Sequence, residues 1–132
     1  MDGVREFLCM CDRRRARVCV ISHKTEYANY NPTGVNLREA AFKWIEHKKL
    51  NFARGKGTPS GCIYFENTRE TKIARIRSEG CTHFIDDLIE VLEHDEFPVS
   101  VRKYLFAPGE NNRCNQYKHM YESWSEISDD IF

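Results

Sequence analysis

Asp86 and Asp87 stand side by side where an apolar stretch runs out, in "CTHFIDDLIEVL", residues 81–92. Adjacent carboxylates repel, and neither is readily buried without a partner. At the end of a strand such a doublet suits a divalent cation, whose charge relieves the repulsion. In a solvated turn it suits only the positive end of the following helix. A second chemical group comes earlier. "ARVCVIS" is rich in β-branched residues and reads as a buried strand ending on the hydroxyl of Ser22. His23 and Lys24 follow it, where they can meet an anionic ligand or only water.

The intervening elements must bring these groups together. Val4, Phe7, Leu8 and Cys11 recur at helical spacing, which predicts a short amphipathic helix. Asn-Pro and Thr-Gly make "HKTEYANYNPTGV" a loop, in which Tyr27 and Tyr30 line a pocket or pack beneath the chain. Asn36 with Glu39 opens a helix that turns Leu37, Ala40, Ala41, Trp44 and Ile45 to one side. "CIYFE" reads as a strand. Thr68 caps the next helix, Ile73 and Ile76 face inward, and Gly80 stops it.

"THFID" reads as a third strand and "DLIEVLEH" as a short helix with Leu88, Val91 and Leu92 inward. "VRKYLFAPG" is a fourth strand and turn, and "ENNRCNQYKHMYE" a loop. Ser123 and Glu126 form a capping box for a last helix, with Trp124, Ile127 and Ile131 inward and His83 packed within the sheet. Alternation of strands and helices predicts an α/β fold: one domain, 1–132, built of βαβ units around a mostly parallel sheet. In such sheets reactive groups gather at the carboxyl ends of strands. Ser22 and the Asp86–Asp87 pair fall on that edge.

Composition narrows the partners. The 132 residues hold 20 Lys plus Arg and 20 Asp plus Glu, a formal net charge of zero. Nothing global draws the chain to nucleic acid or to an anionic membrane, and no apolar run approaches a membrane span. The "DRRRAR" run reads as a solvated helix end. Its start lacks the apolar core of a signal peptide. Of six cysteines, Cys9 and Cys11 form a C-x-C pair, while Cys19, Cys62, Cys81 and Cys114 are scattered. Without a second pair at zinc spacing, free thiols and a cytoplasmic location are expected, with Cys19 and Cys81 as small core residues.

"VCVISHKT" followed by "ETKIARIRSEGCTHFIDD" resembles the haloacid dehalogenase (HAD) superfamily of phosphohydrolases, and the likeness to its small bacterial members covers nearly the whole chain. The resemblance implies a Rossmann-like three-layer core with a mostly parallel sheet. It implies that Ser22 hydrogen-bonds a phosphoryl group. Lys72, on the helix before the acidic strand, would balance phosphate and carboxylate charge, with Arg69 a weaker match. Asp87 would take the Mg²⁺ ligand position, with Asp86 in place of the commoner glycine. The expected ligand is a small phosphorylated metabolite.

The sequence departs from the family at its most chemical point. The superfamily carries its nucleophile and general acid/base in a D-x-D motif ending the first strand, and no D-x-D occurs here. The chain therefore looks like such a domain beginning after its catalytic strand. In the family that strand lies between those ending at Ser22 and Asp86. Its absence leaves three expectations: the two flanking strands pair, a partner such as a second copy supplies a strand, or the chain is a fragment. Mg²⁺-dependent binding or hydrolysis of a phosphate monoester, incomplete as the chain stands, is the expected function. A non-catalytic scaffold is the alternative.

Overall fold

A computed structural model describes residues 3–23, 39, 40, 43, 63–109 and 119–132. In chain order its elements are α1 (Val4–Arg13), β1 (Val20–His23), β2 (Ile63–Glu66), α2 (Arg69–Ser78), β3 (His83–Asp86), α3 (Ile89–Leu92), β4 (Arg102–Phe106), β5 (Met120–Tyr121) and α4 (Trp124–Ile131). The fold is mixed α/β with two short parallel sheets. Lys24, Tyr27, Tyr30, Trp44, Cys62 and Cys114 lie outside the described residues. Of the helix expected from Asn36, Glu39, Ala40 and Lys43 are described and helical, and Glu39 pairs with Lys43 one turn on at 3.1 Å. Among the described residues no helix is long and apolar enough to cross a membrane.

The chain divides into two compact units, the first comprising Leu8–Lys72 and the second Met1–Phe7 with Ile73–Phe132. In the first, β1 and β2 pair in parallel with Ser22 opposite Phe65 and His23 opposite Glu66. Only Ile21 is buried in β1, so this strand is more exposed than its β-branched composition predicts. Among the unit's described residues, Leu8, Cys11, Ile21 and Ile63 are the buried apolar ones.

Two helix ends in this chain close in the same way. At the end of α2, Cys81 donates its N–H to the Ile76 carbonyl at 3.4 Å and Gly80 donates to Arg77 at 3.1 Å. These two bonds define a Schellman turn, and Gly80 takes its left-handed position at φ 66°. At the end of α1, Ala16 donates to Cys11 at 2.8 Å and Arg15 to Asp12 at 3.0 Å. Here the left-handed position, φ 59°, is filled by Arg15. A Cβ in that conformation crowds the following carbonyl.

In the second unit β3, β4 and β5 form a parallel sheet in that order. The registers place His83 beside Arg102, Ile85 beside Tyr104 and Phe106 beside Tyr121. Side chains alternate across a strand, so His83, Ile85, Arg102, Tyr104, Phe106 and Tyr121 share one face and Phe84, Asp86, Lys103 and Leu105 the other. On the first face Trp124 of α4 packs between Phe106 and Phe7, with ring centroids 5.1 Å from each. On the second, Phe97 meets Phe84 edge-on at 6.1 Å, and the Lys103 ammonium sits 5.1 Å from its ring. Ile73, Ile76, Leu92 and Ile127 are wholly buried.

Three local expectations are revised. Leu88 is exposed rather than inward, because it stands in an extended conformation (φ −110°, ψ 112°) as the residue before α3. Cys19 and Cys81 are half-buried, and Cys11 is the buried thiol. Met120 and Tyr121, expected in a loop, pair with β4. Replacing Arg15 by Gly should remove the left-handed penalty and stabilise the chain by about 1 kcal/mol. Denaturant midpoints measure this, and an unchanged or lower midpoint would contradict it.

Candidate functional site

Parallel pairing in the first unit sets Ser22 and His23 at the carboxyl end of β1, next to the carboxyl end of β2. Ser22 is half-buried and His23 exposed. The His23 ring approaches the Asn67 carbonyl at 2.8 Å through Nε2. A carbonyl only accepts, so Nε2 carries a hydrogen in this arrangement. His23 thereby ties the ends of the two strands together. Asn67 leads into the cap of α2: the Thr68 hydroxyl accepts the Thr71 N–H at 3.0 Å, as expected of an N-cap. Lys72 follows one turn along and is buried, 6% exposed. Arg69 is half-buried in the first turn of α2.

In the second unit Asp86 ends β3 and Asp87 follows it. Their environments differ sharply: Asp86 is buried at 8% exposure and Asp87 is exposed. Asp86 Oδ1 accepts the Leu88 N–H at 2.9 Å, an Asx turn that holds the chain extended before α3. The doublet therefore has a structural role that Asp86 alone performs. Of the two carboxylates, Asp87 is open to water, while Asp86 Oδ1 is engaged in the turn. Ser22, His23 and Lys72 thus stand in the first unit, Asp86 and Asp87 in the second. Lys24 lies outside the described residues. β1 pairs with β2 and β3 with β4, so the flanking strands expected to close on each other belong to different ladders.

Cys9 and Cys11 do not make a ligand pair. Cys9 is exposed and Cys11 is buried on α1, where burial pushes its thiol up to about 11 and leaves it inert as a nucleophile or ligand. Among the described residues no three His, Cys, Asp or Glu side chains are grouped as a metal site.

Apart from Cys11, the described groups with shifted protonation, His83, Tyr104 and Tyr121, lie on the other face of the second unit's sheet from Asp86. His83 stacks on Tyr104 at 5.9 Å, Tyr104 meets Tyr121 at 5.3 Å, and Arg102 pairs with Asp130 of α4 at 3.6 Å. The Tyr104 hydroxyl is fully buried and, among the described residues, finds no hydrogen-bond partner. Burial first, then the Asp130 carboxylate, pushes it up to about 12. Burial and Asp130 also raise Tyr121. Burial, then the Arg102 charge, lowers His83 below its usual 6.5, against the opposing pull of Asp130. Thr82 bonds His83 Nδ1 at 2.8 Å, so His83 packs and hydrogen-bonds within the sheet as its sequence position predicts. The tyrosines and Asp130 gave no motif in sequence; strand register and the packing of α4 bring them together.

No family model matches the chain, and no curated protein or solved structure does.

Two outcomes follow. Asp86→Asn keeps the oxygen that accepts the Leu88 N–H and should preserve stability, whereas Asp86→Ala should cost about 1 kcal/mol. Equal losses in thermal unfolding would show that the charge, not the turn, is what the fold uses. The folded chain keeps the Tyr104 proton after an unfolded tyrosine gives it up. That contribution is therefore intact below pH 10 and is lost as pH rises toward about 12. In Tyr104→Phe this alkaline loss, on the order of 2–3 kcal/mol, should largely vanish, with stability at pH 7 changed by less than about 1 kcal/mol. A large loss at pH 7 would mean that the hydroxyl has a partner.

Proposed function

We propose that the chain is a HAD-type phosphate-binding domain, with a Rossmann-like core, that takes a small phosphate monoester together with Mg²⁺. The observation carrying this reading is positional. Ser22 is the last residue but one of a parallel strand, Asp86 ends another with Asp87 directly after it, and α2, with Lys72 one turn after its cap, leads into the strand that ends at Asp86.

The chemistry divides accordingly. Ser22 Oγ donates to a phosphoryl oxygen, and Lys72 offsets its charge. Lys24 supplies a further donor, and His23, whose Nε2 hydrogen is held by the Asn67 carbonyl, flanks the ligand as a neighbour of Ser22. Asp86 and Asp87 provide the carboxylate oxygens for Mg²⁺, which keeps several waters. The cation neutralises charge on the phosphate, as phosphoryl-group sites require. Hydrolysis in addition requires a nucleophilic aspartate that no D-x-D in this sequence supplies. With that residue furnished by a second chain or a longer form, for example through strand exchange in a homodimer, the same groups serve a phosphatase. The missing motif specifically favours a second reading, a scaffold that holds a phosphorylated ligand or partner without turning it over.

Calorimetry with inorganic phosphate tests the shared core of both readings. Phosphate should bind in the presence of Mg²⁺ and lose at least about tenfold in affinity, about 1.4 kcal/mol, in Asp87→Asn or Ser22→Ala. Binding that is indifferent to Mg²⁺ or to these substitutions would overturn the assignment. Fusing a D-x-D-bearing strand to the amino end separates the readings. Hydrolysis of a phosphate monoester by the fusion favours the phosphatase, and silence with intact binding favours the scaffold.

A further inference from the structure

We propose that the exposed arginines Arg13, Arg14 and Arg15, at the end of α1, form a contact surface for the phosphodiester backbone of a nucleic-acid duplex. This surface is independent of the phosphate site proposed above. The observation behind it is the pair of helix ends that close with the same hydrogen bonds. α2 fills the left-handed position of its Schellman turn with Gly80, the residue that adopts it without strain. α1 fills the same position with Arg15. The helix dipole favours cations near a C-terminus and so accounts for Arg13 and Arg14. It gives no reason for a strained backbone at the third position, where glycine closes the turn equally well. The chain keeps a side chain there, and that side chain is a guanidinium.

The chemistry of the patch selects its partner. All three residues are exposed and consecutive, and none is lysine. The planar guanidinium fork matches two phosphate oxygens at once, which an ammonium does not. Asp12 is the one acidic neighbour in the turn, and its carbonyl accepts the Arg15 N–H. No aromatic residue is interleaved to stack unpaired bases, so the patch suits a duplex backbone rather than a single strand. No large apolar residue is interleaved to enter a bilayer. Zero net charge removes long-range attraction, yet short-range phosphate contacts need only the local cluster.

The test is fluorescence anisotropy of the full chain with labelled DNA and RNA duplexes of unrelated sequences. Three phosphate contacts predict that affinity falls about 40-fold between about 50 mM and 200 mM salt. Arg15→Gly should reduce that dependence to about 12-fold and weaken binding at low salt, even as the unfolding midpoint rises. Replacing all three arginines with Gln should abolish binding while circular dichroism is unchanged. Binding to one duplex type alone assigns the nucleic acid. The proposal is overturned if neither duplex binds at low salt, if the triple variant binds as the wild type does, or if anionic vesicles are bound in preference to duplex.

Discussion

Parallel strand pairing is the constraint on which the structure depends. Two strands running the same way cannot be joined by a tight turn; each needs a crossover long enough to return the chain to its starting edge. In the second unit the segment from Asp87 to Val101 makes that return, with α3 inside it, and delivers β4 beside β3 in register. The same rule sends strand ends to a common rim within each sheet. Ser22 and His23 accordingly neighbour the end of β2, and Asp86 neighbours Leu105. The candidate residues are located by this topology more than by any local preference of their own.

Backbone satisfaction supplies the next layer. Where an element stops, its unpaired N–H and C=O groups find side-chain or turn partners. Thr68 serves the start of α2, Gly80 its end, and Asp86 the chain before α3. Ser123 accepts the Glu126 N–H at 3.2 Å at the start of α4. Glu126 reaches back to the Glu122 N–H at 2.7 Å, one residue earlier than a standard capping box would have it. Asp86 thus joins a chemical candidate to a structural duty. A buried carboxylate at a strand end is retained for its turn whether or not a cation is ever bound.

Much of this was legible in sequence because helix caps and amphipathic faces are local signals. Phe7, Leu8 and Cys11 on α1, Ile73 and Ile76 on α2, and Ile127 on α4 are buried as their spacing predicts. β5 was not legible, since two residues cannot display a period. Leu88 misled because the Asx turn at Asp86 delays α3, so apolar character there does not become an inward face. The cluster of His83, Arg102, Tyr104, Tyr121 and Asp130 depends on register among β3, β4, β5 and on the packing of α4, which no short stretch encodes. Ser22 and the Asp86–Asp87 pair were singled out from expected strand ends; β1 runs one residue past Ser22, to His23, and β3 ends at Asp86. Their joint action on one ligand is a proposal drawn from sequence order.

A crystal grown with Mg²⁺ and inorganic phosphate addresses that joint action directly. The expected density is a phosphate within hydrogen-bond reach of Ser22 Oγ and Lys72 Nζ, together with a Mg²⁺ ion held by Asp86 and Asp87. A structure of the same crystals in which Ser22 and Asp87 face different regions of the molecule, with no ion between them, would contradict the account.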